Sequence, residues 1–218
     1  MLEKILPNNI AVSEAFDDPA EAVLFAEEEA LLGRSVEKRR REFTTVRHCA
    51  RRALAELGRP PAPLLRGERG APIWPAGIVG SMTHCDGYRA AAVAEDSVVQ
   101  TIGIDAEPHA PLPEGVLEAV SLPEERSWLN TLSRTDPEVH WDRLLFSAKE
   151  SVYKAWFPLA RRWLGFEEAR LTVDPSGGTF RADLLVPGPV EGFSGRWLVA
   201  DGLVVTTIAV PRSNGQNL

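Results

Sequence analysis

Twice along its length the chain sets a long helical pattern ahead of a hairpin closed by Asp-Gly, and this repetition constrains its fold most. Asp86-Gly87 and Asp201-Gly202 each separate two apolar runs rich in small and β-branched residues. A two-residue Asp-Gly turn takes positive φ at both positions, and its twist matches that of antiparallel strands. The pattern predicts strands at 78–85 and 88–94, then at 195–200 and 203–210, with a further strand at 98–105. The first helix is predicted from residue 27 or 35 to 57, where Gly58 ends it and Pro60, Pro61 and Pro63 form a stiff connector. The second is predicted over 138–163, with Pro137 near its start, Gly165 beyond its end and a kink near Phe157, ahead of Pro158. An isolated hairpin is marginal in water, so each needs a helix across one face. The expected class is therefore α+β, with two similar halves, each a long helix packed on a small, largely antiparallel sheet. Residues 1–27 carry little pattern beyond turns at Pro7-Asn8-Asn9 and Asp17-Asp18-Pro19, and 212–218 reads as a frayed tail.

The strand at 98–105 runs into Asp105-Ala106-Glu107-Pro108. Residues i and i+2 of a strand share a face, so two carboxylates emerge side by side where proline ends the ladder. Carboxylates so placed repel unless a cation lies between them, and Mg²⁺ suits such a pair. The second helix supplies a third. Leu144, Leu145, Ala148, Val152, Ala155 and Leu159 form one apolar stripe, and Phe146, Tyr153 and Phe157 form another on nearly the opposite side. Glu150 falls within the aromatic stripe, where an ionised carboxylate is costly without a cation or strong donors. A metal shared by Asp105, Glu107 and Glu150 answers all three placements. A surface Glu150–Lys154 pair at i,i+4 is the plainer alternative. The chain's lysines are Lys4, Lys38, Lys149 and Lys154, and every other strong base is arginine. Two lysines five residues apart mark positions that call for a compact ammonium.

The first helix is strongly basic, with Lys38, Arg39, Arg40, Arg41, Arg47, Arg51 and Arg52 in fifteen residues. Its buried stripe is Phe43, Val46, Ala50, Leu54 and Leu57. Arg39 and Arg47 flank that stripe, at a core edge where partly desolvated guanidinium groups are suited to a phosphate, while Arg41 and Arg52 point outward. A solvated face beside the acidic segment Glu27-Glu28-Glu29 explains the same charges without a ligand.

Gly103-Ile104-Asp105-Ala106-Glu107 and Ser147-Ala148-Lys149-Glu150-Ser151-Val152-Tyr153-Lys154 resemble the two signature motifs of the 4′-phosphopantetheinyl transferases, of the larger surfactin/enterobactin-synthase type. Ser121-Leu122-Pro123-Glu124-Glu125 is similar to that family's middle segment, and the Arg- and Trp-rich style is similar to actinobacterial members. The resemblance runs from about residue 28 to the C-terminal strands. It implies two subdomains related by a pseudo-twofold axis, at 1–107 and 108–218, with the active site between them. It implies transfer of 4′-phosphopantetheine from coenzyme A to a serine of apo acyl or peptidyl carrier proteins, releasing 3′,5′-ADP. By the same implication Asp105, Glu107 and Glu150 hold Mg²⁺, with Mn²⁺ as the alternative ion. Glu150 or a water it orients is the base, and Lys154 and Lys149 offset phosphoryl charge. Arg39, Arg47, Ser81, Thr83 and His84, with Arg66 and Lys154, bind the coenzyme. Carriers of fatty-acid, polyketide and nonribosomal-peptide (siderophore) pathways all match this reading. A chain with two similar halves has little need of a partner copy, so a monomer is expected.

Composition narrows the remaining classes. Of 218 residues 44% are hydrophobic and 25% charged, as in ordinary globular domains. The net charge of −7 and pI near 5.2 weigh against a nucleic-acid-binding module built on the basic helix. Two cysteines, Cys49 and Cys85, make no disulfide framework, no signal-peptide pattern opens the chain and no apolar run spans a membrane, so the expected location is the cytoplasm. A metal-dependent phosphohydrolase using the same three carboxylates is the competing enzyme.

Overall fold

The computed structural model describes residues 1–212; the tail expected at 212–218 lies, beyond Arg212, outside the described residues. The described residues divide into two compact units, Pro7–Ile102 with 210–212, and Met1–Leu6 with Gly103–Ala209. Helices and antiparallel sheets are mixed in both, so the α+β class holds.

The first unit carries β1 (Ala11–Ala15), a single helical turn α1 (Ala26–Glu29), the long α2 (Glu37–Glu56), and the hairpin β2 (Ile78–Cys85) and β3 (Tyr88–Glu95). The sheet order is β1-β3-β2, all antiparallel. The hairpin forms where Asp86-Gly87 predicts it, but of that pair Gly87 alone has positive φ, whereas Asp201 and Gly202 both have it. Ala90 to Ala94 along β3 are fully buried, and only such small side chains let α2 lie close on the sheet. Cys49, Ala50, Ala53 and Leu54 of α2 meet Ala11, Leu64, Ile78, Ala91 and Val93 in this core. The first helix does not run back to residue 27. Gly33 sits at φ 49°, and the Ser35 hydroxyl caps the Leu32 carbonyl, so α1 and α2 are separate. β1 was hidden because Ala11, Val12 and Ser13 are all buried and show no alternation.

In the second unit β4 (Val99–Pro108) enters from the first unit. It is followed by α3 (Val116–Val120), α4 (Pro123–Thr135), α5 (Trp141–Ala160), β5 (Ala169–Asp174), β6 (Thr179–Leu184), β7 (Gly192–Ala200) and β8 (Leu203–Pro211). Strand order is β4-β8-β7-β6-β5, which puts β4 at one edge. The predicted stripe of α5 is buried from Leu144 to Ala155, and the helix lies on β5 and β7 beside α3 and α4. α5 is shorter than expected at both ends. Pro158 falls in its last turn, and Arg161, at φ 51°, closes it. Among the described residues no helix is long and apolar enough to cross a membrane.

Gly103 sets the distance between β4 and α5. A Cβ there would lie 2.0 Å from the Ser151 carbonyl oxygen and 2.9 Å from the Ala155 nitrogen. Both atoms are helix backbone, which no rotamer change can move. Gly103→Ala is expected to cost at least about 3 kcal/mol, the upper range for overpacking, and to push α5 off the strand. Denaturant unfolding of the variant measures it.

A candidate active site on β4 and α5

The close approach at Gly103 brings the sequence-predicted carboxylates of β4 against one face of α5. Lys154 donates from Nζ to the Ile104 carbonyl at 3.0 Å and to Asp105 Oδ1 at 2.8 Å. Asp105 is buried, whereas Glu107 and Glu150 are half-buried. Burial, then the charge of Asp105, pushes the Glu107 carboxyl up to about 6, against the opposing pull of Arg143 and Lys154. Burial and the Asp105 charge likewise raise Glu150, and Lys154 opposes them. Asp105 is thus the shared neighbour of both glutamates. The plain alternative, a surface Glu150–Lys154 pair, is not what forms: Lys154 bonds to the strand.

Two glutamates whose proton affinity is raised by burial and by their shared neighbour Asp105 fit, together with it, a hard divalent cation in charge and donor type. Among the described residues no three His, Cys, Asp or Glu side chains are gathered as a ready-made metal cluster. Lys154 holds Asp105, and Arg143 holds Glu107 through Nη1 to Oε2 at 3.0 Å. Sequence reading passed over Arg143. The signal was present, since Arg143 precedes Glu150 by two helical turns and shares its face.

Lys149 is placed differently. Its ammonium is buried, 2.7 Å from Glu125 Oε2 and 2.8 Å from the Phe166 carbonyl, and burial lowers its pKa. The charges that support it are those of Glu125, Glu167 and Glu124, none of them among the three site carboxylates. Glu125 is fully buried and also accepts from the backbone N–H groups of Leu122 and Leu171. The middle motif thereby ties α4 to α5 and β5.

The predicted nucleotide residues lie in the first unit. Arg47 is buried with its guanidinium 3.3 Å from the Phe43 ring centre, and its Nε donates to the Leu64 carbonyl at 3.0 Å. Arg66 reaches the same ring at 4.9 Å. Burial lowers Arg47 to about 10; Glu28 resists this, and the charges of Arg66, Arg51 and Arg39 add to it. Burial and the Arg39 charge lower Arg66. Arg39 Nη1 is 2.6 Å from His84 Nε2, and Glu42 lies 3.9 Å from each. Ser81 and Thr83 are buried two residues apart on β2. The structure therefore stacks Arg47 and Arg66 on Phe43, with the charge of Arg39 felt by both, a cationic arrangement suited to an anion. Glu28 was missed as an individual residue. It is fully buried and accepts from Arg51 at 2.9 Å and from the Leu64 N–H at 2.8 Å. Nothing distinguishes it in sequence from Glu27 and Glu29.

Comparison with known proteins agrees with the two motifs. The family model for the 4′-phosphopantetheinyl transferase N-terminal domain matches residues 27–94, and that for the 4′-phosphopantetheinyl transferase superfamily matches 101–206. The 4′-phosphopantetheinyl transferase Npt of Nocardia iowensis is 57% identical over 223 residues, covering 96% of this chain and 99% of Npt. Svp of Streptomyces mobaraensis is 57% identical, over 99% of this chain and 91% of Svp. PptT of Mycobacterium tuberculosis is 50% identical, over 96% of this chain and 98% of PptT. The chain belongs to the 4′-phosphopantetheinyl transferase superfamily.

Proposed function

We propose that this enzyme moves the 4′-phosphopantetheine group of coenzyme A to a serine hydroxyl of apo acyl or peptidyl carrier proteins, releasing 3′,5′-ADP. A new bond forms between the serine oxygen and the phosphorus bearing pantetheine. The pyrophosphate P–O bond to the nucleotide breaks, and the serine proton leaves to a base. The observation that carries this reading is the placement of Glu150, raised in proton affinity, beside the Lys154–Asp105 pair.

Glu150, or a water it orients, takes the serine proton; a carboxylate with raised affinity is better matched to that task near neutral pH. Lys154 sets its Nζ at the strand exit, where it offsets charge on the transferring phosphoryl oxygens. Asp105, Glu107 and Glu150 would hold Mg²⁺, or Mn²⁺, which when bound offsets charge on the pyrophosphate oxygens. The Glu150 oxygen that takes the proton is not the one given to the cation. Arg39, Arg47 and Arg66, with Ser81, Thr83 and His84, take the 3′-phosphate and adenine. On this reading the first unit serves the nucleotide and the second the chemistry.

Arg47→Ala is expected to raise the apparent KM for coenzyme A by about tenfold or more, as for a lost charge-assisted contact, with a smaller change in kcat. Steady-state kinetics on the folded variant measures both. The transferase reading itself is tested by following 3′,5′-ADP chromatographically. Release that requires an apo carrier supports transfer, whereas equal release without any carrier would make the enzyme a phosphohydrolase.

A further inference from the structure

Arg143 stands on the face of α5 that carries Glu150 and Lys154, and its side chain is only 14% exposed. Every nitrogen of that group is engaged. Nη1 donates to Glu107 Oε2 at 3.0 Å, Nε to the Ala110 carbonyl at 3.0 Å, and Nη2 to the Pro111 carbonyl at 2.8 Å. One planar fork thus spans the carboxylate of β4 and two carbonyls of the chain leaving it. The two carbonyls fix the guanidinium plane, and the plane in turn fixes the carboxylate. Three of the five guanidinium N–H donors are so used, one on each nitrogen. A carboxylate accepts about four contacts, so an engaged Oε2 leaves coordinating capacity on Oε1.

We propose that Arg143 is a positioning residue, holding Glu107 in the orientation from which its carboxylate serves a divalent cation while itself touching no substrate. The inference rests on the reading of Asp105, Glu107 and Glu150 as the cation's donors. Groups that hydrogen-bond a metal-ligating carboxylate orient it, and losing one typically costs about 10–100-fold in metal affinity.

The test uses the full chain with saturating coenzyme A and Mn²⁺ as probe, binding being read by electron paramagnetic resonance. Arg143→Gln is expected to weaken Mn²⁺ by about 10–100-fold. Its transfer rate is expected to recover when Mg²⁺ is raised well above the wild-type requirement, which a loss of substrate contacts or of folding would not allow. Arg143→Lys keeps the charge but reaches fewer acceptors; a smaller, measurable weakening is expected, and it carries the test alone if Arg143→Gln fails to fold. Wild-type Mn²⁺ affinity in the folded variant, or a rate deficit indifferent to added Mg²⁺, would overturn the proposal. Asp105→Asn separates the two levels of inference. If it binds Mn²⁺ as the wild type does, the carboxylate site itself is wrong and the role of Arg143 goes with it.

Discussion

Glu150→Gln is expected to lower kcat by about 10²–10⁴-fold, the usual range for removing a general base, and to leave the fold intact. The stability half of this expectation follows from the local electrostatics. Burial and the charge of Asp105 both disfavour an ionised Glu150, and only Lys154 opposes them. A neutral isostere removes an unfavourable charge from a half-buried position, so the variant is expected to unfold no earlier than the wild type. Loss of activity with undiminished melting temperature separates chemistry from folding. A folded Glu150→Gln enzyme working near the wild-type rate would remove Glu150 from the site.

Lys149→Met is expected to do the reverse. It strips the partner from Glu125, which has no exposure to solvent and would keep only the N–H groups of Leu122 and Leu171. Breaking one side of a buried ion pair costs about 3–5 kcal/mol. The folded fraction is expected to retain a kcat close to wild type, because the ammonium supports α4 and the Phe166 carbonyl rather than the carboxylates of β4. Adding Glu125→Gln should restore part of the loss, since an amide no longer demands a counter-charge. Denaturation curves of the two single variants and the double variant measure the coupling. A stable Lys149→Met protein with collapsed kcat would return Lys149 to the charge-neutralising role that its motif implies.

The surroundings of these two residues differ in how far the sequence makes them legible. Glu150 is legible because a carboxylate on an aromatic helix face conflicts with its surroundings and demands a partner. Asp105 and Glu107 are legible from strand periodicity and the proline behind them. Lys149 resembles Lys154 in sequence, but 100° per residue sends the two ammonium groups in different directions, Lys154 to β4 and Lys149 to Glu125. Both hairpins follow from their Asp-Gly turns. β1 does not follow, since its partner β3 lies far along the chain; β5 and β6 form a third hairpin across Pro175-Ser176-Gly177-Gly178, a turn without the Asp-Gly pair that marks the other two. Gly103 shows the same limit. In sequence it is one glycine among seventeen, and only the helix backbone 2.0 Å from its missing Cβ shows why it is there.

The proposed function is a cation-dependent transfer of phosphopantetheine to carrier proteins. Intact-protein mass spectrometry of apo carriers from fatty-acid, polyketide and nonribosomal-peptide pathways, each incubated with the enzyme, coenzyme A and Mg²⁺, tests it most directly. The account predicts a gain of one phosphopantetheine on at least one carrier, abolished by EDTA and by Glu150→Gln. An unmodified carrier throughout, from a folded enzyme that still binds coenzyme A, would contradict it, and a gain that survives EDTA would contradict its cation dependence.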